Sequence, residues 1–137
     1  MKNYLILFVA VFAFGLASCS SKSYPDENWS NKKWTVVEIL GAPVQTSGTD
    51  KDAHLIFDSN DASFSGSGSC NRIFGPYEIG KKNSFRFGEI GATRMACQNL
   101  PFENKFLEVL KSVRYYQVNA GELFLKNGDK RVVLKLQ

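Results

Sequence analysis

The chain has 137 residues, with 17 basic and 13 acidic side chains and a net charge of +4, which is enough for one domain with a modest core. Its basic pairs Lys32-Lys33, Lys81-Lys82 and Lys130-Arg131 are scattered beside turns and strand ends. They read as solvated strand ends and not as the continuous basic stripe of a nucleic-acid binder.

The first eighteen residues divide like a secretory leader. Lys2 is its one charge, and Tyr4 to Leu16 is almost continuously apolar. That run of about 13 residues is shorter than the roughly 20 a membrane span needs, but it fits a signal h-region. Leu16-Ala17-Ser18-Cys19 resembles the lipobox of bacterial lipoproteins: an aliphatic residue, two small residues that suit a narrow peptidase cleft, and a cysteine whose thiol takes the lipid. Residues 1–18 are therefore expected to be removed and Cys19 to be lipidated. An ordinary signal peptide with a cysteine at its junction is the alternative. The diacyl or triacyl cysteine of such proteins supplies the second chain that stable anchoring requires. Ser20, in place of Asp, points to the outer membrane, facing the periplasm. Residues 19–28, polar and interrupted by Pro25, form a tether, and the folded domain is expected over 29–137.

Of the three cysteines, lipidation of Cys19 would leave Cys70 and Cys97. An oxidising compartment favours a bridge between them, which would close a loop of roughly 28 residues and add about 3.5 kcal/mol on the chain-entropy model. Two buried thiols that never meet is the other reading.

Beyond the tether the sequence predicts short strands separated by turns. Trp34 to Leu40 alternates and ends at Gly41-Ala42-Pro43; His54 to Asp58 runs into the turn Ser59-Asn60-Asp61. In the next segment Phe64, Gly66, Gly68 and Cys70 would share one face of a strand and three serines the other, the glycines allowing close approach or a bend. Arg72 to Ile79 and Ser84 to Phe87 follow, and Tyr115–Val118, Glu122–Lys126 and Arg131–Leu136 close the chain. Pro101 to Val113 breaks the pattern. Phe102, Phe106, Val109, Leu110 and Val113 recur at helical spacing, with Glu103 near the start and Lys111 near the end, as the helix dipole prefers. The spacing predicts a mainly β sandwich or barrel with one amphipathic helix. Phe57, Phe64, Phe74, Phe85 and Phe87 are expected to fill its interior, as side chains do in a barrel this small.

Catalytic equipment is hard to assemble from these residues. His54 is the single histidine, and a Cys–His pair would need one cysteine left free. Gly66-Ser67-Gly68 lacks the third glycine and the following helix of a dinucleotide site. Asp50, Asp52, Asp58 and Asp61 do not match a calcium loop. No cofactor and no metal are expected.

Gly68-Ser69-Cys70-Asn71-Arg72, then Phe74-Gly75-Pro76-Tyr77, then Ile90-Gly91-Ala92-Thr93-Arg94-Met95-Ala96-Cys97, then a helix carrying Glu103 and Leu110, resemble the META domain of HslJ-like heat-shock lipoproteins. Trp34 and the Leu40-Gly41 pair match the start of that family. The resemblance implies a small antiparallel, lipocalin-like β-barrel with one helix packed against it, an envelope location, links to heat shock or to resistance to noxious compounds, and no assigned enzymatic activity. It singles out Gly68, Asn71, Arg72, Thr93, Arg94 and Met95 as family-motif residues and a possible interaction patch. Asn71 suits left-handed geometry or the cap of a bend. Thr93, Met95 and Cys97 would share one face of an extended segment, and Arg72 and Arg94 are available to Glu89 or Glu103. The expected function is that of a monomeric, non-catalytic envelope lipoprotein that supports stress tolerance or envelope integrity by binding an unidentified protein partner. The alternatives are a carrier of a small apolar ligand in the barrel and a protease inhibitor.

Overall fold

The computed structural model describes residues 29–137, so the expected leader, Cys19 and the tether lie outside the described residues. Alternation of apolar side chains builds ten strands: β1 (Lys33–Ile39), β2 (Ala42–Pro43), β3 (His54–Asp58), β4 (Ser63–Ser67), β5 (Arg72–Ile79), β6 (Phe85–Phe87), β7 (Gly91–Ala92), β8 (Tyr115–Asn119), β9 (Glu122–Lys126) and β10 (Val132–Leu136). They form one sheet in the order β6-β5-β4-β3-β1-β10-β9-β8, with β2 on β1 and β7 on β5. All pairings are antiparallel. Period two sends Trp34, Val36, Leu55, Phe57, Leu123 and Leu125 to the inner face, where each is essentially fully buried. Between β8 and β9 the turn residues Ala120 and Gly121 both have positive φ, 50° and 79°, which suits the right-handed twist of a two-residue hairpin.

The helix α1 spans Leu100–Ser112, one residue ahead of the expected Pro101–Val113. Proline sits in its first turn, where a missing N–H costs nothing. Phe106, Val109 and Leu110 are buried, and the helix packs against β6.

Two expectations need correction. The sheet is not a closed barrel: its end strands β6 and β8 share no ladder, only the bridge Ser84–Tyr115 and one bond in which the Phe85 N–H donates to Arg114 O at 2.8 Å. All three residues of β6 ladder to β5, and only its start approaches β8. Phe74 does not fill the interior either, being 53% exposed. Ile73 and Tyr77 take the inner face of β5, so alternation turns Phe74 outward, over Gly91. The interior receives Trp29, Tyr77 and Tyr116 beside Phe57, Phe64, Phe85 and Phe87. Trp29 and Phe57 lie 4.9 Å apart between centroids, and Tyr77 stacks on Phe85 at 5.4 Å. The Trp34 indole N–H donates to Trp29 O at 2.7 Å, which fixes the start of the domain on its core.

Candidate functional site

The family-motif residues meet around one carboxylate. Glu103, in the first turn of α1, is only 3% exposed. Its Oε2 accepts from the backbone N–H of Asn71 at 2.6 Å and of Cys70 at 3.2 Å. Its Oε1 accepts from Asn71 Nδ2 at 2.7 Å. Three donors, two of them fixed backbone amides, satisfy a charge that burial would otherwise make costly, and the helix N-terminus adds its positive dipole end.

Asn71, also 3% exposed, uses its other end on a third segment. Its Oδ1 accepts from Met95 N–H at 2.6 Å and from the Thr93 hydroxyl at 3.1 Å. Thr93 Oγ1 in turn accepts from Arg72 N–H at 3.1 Å. One amide thus joins the 68–72 turn to the helix and to the 93–95 segment. The Cys70–Cys97 disulfide, with Cα atoms 5.9 Å apart, clamps the same two segments a few residues on, so the expected bridge is present.

The glycine of the motif follows from this geometry. A Cβ on Gly68 would stand 2.5 Å from Glu103 Oε2, well inside contact distance, so only glycine lets the carboxylate reach the turn. β4 ends at Ser67, and the chain then bends through Gly68 to Cys70 instead of continuing as the expected strand. The left-handed residue in that bend is Ser69, with φ of 84°. Asn71 is therefore not the left-handed residue; its side chain is the connector. The ion pairs expected of Arg72 and Arg94 are likewise absent: among the described residues neither arginine bridges Glu89 or Glu103. Asn71 and two amides occupy Glu103, and both arginines are exposed.

Glu103 was the central residue missed among the expected site positions. Counting along the helix puts it three residues before Phe106 and seven before Leu110, on the buried stripe, where an acid needs an explanation. That mismatch was the available signal.

The arrangement fastens three segments, and around it lie solvent-facing side chains. Met95 is 56% exposed and Phe74 53%, next to exposed Arg72 and Arg94. Cys70 and Cys97 are bonded to each other, which leaves no thiol for a Cys–His pair among the described residues. Among those residues no three of His, Cys, Asp and Glu gather as a metal site, and no helix is long and apolar enough to cross a membrane.

Three solved structures share the fold. An NMR structure of a protein is 23% identical, covering 81% of this chain and 92% of its own, with a TM-score of 0.62. An NMR structure of a protein from Burkholderia xenovorans is 21% identical over 80% of this chain and 82% of that one, with a TM-score of 0.60. The crystal structure of a DUF4847 family protein from Bacteroides vulgatus is 18% identical over 80% and 94%, also with a TM-score of 0.60. Comparison with curated proteins gives no match. The model of the META domain family matches residues 27–137, the stretch that contains the Gly68–Arg72 turn, the Thr93–Cys97 segment and the helix that carries Glu103. On that match, the chain belongs to the META domain family.

Proposed function

We propose that this chain is a non-catalytic envelope lipoprotein, held through lipid on Cys19 at the periplasmic face of the outer membrane, that supports stress tolerance by binding a protein partner as a monomer. The observation that carries the reading is the outward exposure of Phe74 and Met95, each close in sequence to an exposed arginine, Arg72 or Arg94, on segments fastened by the disulfide and by Asn71. Aromatic, methionine and arginine side chains are the types enriched at protein interfaces, and a rigid base spares the ordering cost of binding. The two guanidiniums select a partner with acidic groups beside an apolar side chain. Carriage of an apolar ligand inside the sheet is less favoured, because Trp29, Phe57, Tyr77, Phe85 and Tyr116 already pack against one another there.

The test is photo-crosslinking in living cells from a reactive amino acid placed at position 74 or 95, with Glu108 on the exposed face of α1 as the control position. A shared adduct from 74 and 95 that is missing from 108 is the expected outcome. Identical adducts from all three positions would overturn the reading. Cys19→Ser is expected to move the protein from the membrane to the soluble fraction, and retention in the membrane would remove the anchor.

A further inference from the structure

On the outer face of the sheet a row of small side chains on β4 runs between taller neighbours. His54 of β3 faces Ser67, and Ser67 faces Arg72 of β5. On the next rung Ile56 faces Ser65 and Ser65 faces Phe74. Strands lie about 4.8 Å apart, so His54 and Arg72 stand roughly 10 Å apart across Ser67, a gap that admits a small group. Gly66, between the two serines but on the opposite face of β4, lets β3 lie close, since a Cβ there would collide with the His54 carbonyl oxygen. The groove measures about 450 Å³ and extends to Lys51 and Ser69.

His54 gives the groove its chemistry. The residue is only 9% exposed, and its Nδ1 lies 2.8 Å from Asp52 O. A carbonyl only accepts, so Nδ1 carries a ring proton, and in the neutral imidazole Nε2 is then the acceptor. Among the described residues no hydrogen bond reaches Nε2, yet no buried side-chain polar atom lacks a partner. Nε2 is therefore open to the groove that the ring lines. Ser67 Oγ accepts from Ser69 N–H at 3.1 Å, which leaves its own O–H free to donate. Arg72 and Lys51 bring donors and positive charge, and Asp50, the acid among the lining residues, is already paired with Lys33 at 2.8 Å.

We infer that this groove binds a phosphate group, free or as a monoester. Arg72, Lys51 and the Ser67 hydroxyl donate to the anionic oxygens, and a protonated phosphate oxygen donates to His54 Nε2. A ring of donors around one acceptor matches hydrogenphosphate, which carries both charge and an O–H near neutral pH. Sulfate, with no proton to give, satisfies the donors and leaves Nε2 empty. The groove shares Arg72 with the surface proposed for the protein partner, whereas His54, Lys51 and Ser67 belong to the groove alone.

The single histidine makes the test direct. The full chain in detergent micelles, labelled with 15N on histidine, gives one Nε2 resonance to follow. Added inorganic phosphate, or vesicles containing phosphatidic acid measured against phosphatidylcholine alone, is expected to shift that resonance saturably. Response to the free ion and response to phosphatidic acid vesicles alone both support the site, and they separate its two sources. Sulfate is expected to bind roughly tenfold more weakly, the scale of one lost hydrogen bond to a charged group. Arg72→Gln and Ser67→Ala, both at outward positions that leave the core untouched, are each expected to weaken phosphate binding by a similar factor. An Nε2 resonance unmoved by either source, sulfate binding equal to phosphate, or unchanged affinity in both variants would overturn the inference.

Discussion

Replacing Glu103 with Gln tests the carboxylate hub with a change of almost no volume. The two backbone amides bonded to Oε2 can only donate, so the glutamine oxygen must face them. Its NH2 then faces Asn71 Nδ2, and two donors meet where a bond of 2.7 Å stood. Asn71 cannot turn its amide to help, because its Oδ1 already accepts from Met95 N–H and the Thr93 hydroxyl. The substitution thus removes one bond to a charged group, about 1.5–3 kcal/mol, and leaves buried donors unsatisfied at about 1–3 kcal/mol. A loss of about 3 kcal/mol is the conservative expectation. For a domain of this size that lowers Tm by roughly 12 °C. Thermal unfolding followed by circular dichroism, with the disulfide kept oxidised in both proteins, measures the shift. A Glu103→Gln protein within about 2 °C of the parent would refute the reasoning, since any good acceptor would then serve in place of the carboxylate.

Two further outcomes are expected. The paired change Cys70→Ser and Cys97→Ser, which opens a bridge across 27 residues of sequence, should cost about 3.5 kcal/mol by chain entropy. Urea denaturation checks this, and an unchanged midpoint would show that the hydrogen bonds around Asn71 already fix both segments. Asp52 is held below the usual carboxylate range, first by the Ser47 backbone amide and then by its hydroxyl. A depressed folded pKa stabilises the loop above the unfolded value near 3.9, and that contribution fades as pH falls through the lower folded value. Protection of the Ser47 and Gly48 amides, both bonded to this carboxylate, measured as exchange relative to the intrinsic rate at each pH, should therefore fall below pH about 4, and Asp52→Asn should lower that protection already at neutral pH. Protection flat with pH in the parent would contradict the assignment.

Strand positions were readable because burial on one face imposes period two, and the helix because five apolar residues fell on one stripe. β5 shows where that signal runs out. Ile73 and Phe74 are adjacent and both apolar, so the alternation permits either to face inward, and register with β4 and β7 decides. Closure of the sheet was unreadable for a related reason, since contact between β6 and β8 joins residues about 30 apart in the chain that carry no local mark. The hub lay between these cases. Cys70 and Cys97 were identifiable as a pair by arithmetic, whereas the bond from Asn71 to Glu103 joins residues 32 apart, and nothing in either neighbourhood names the other. Glycine at 68 was visible from the start. Its reason, a carboxylate pressed against the backbone, needed three dimensions.

The single bridge at Ser84–Tyr115 gives the sheet a built-in line of weakness. Every other neighbouring pair along the main sheet is laced by several rungs, so a fluctuation or a pulling force concentrates where only one rung must part. Parting there uncovers the free edges of β6 and β8 and tips Phe85, whose N–H holds the Arg114 carbonyl, toward water. Such an opening exposes the aromatic interior and two unpaired backbones together, the combination that invites edge-to-edge association between copies. The short stretch between Ser84 and Tyr115 is thus the place where loss of shape would begin.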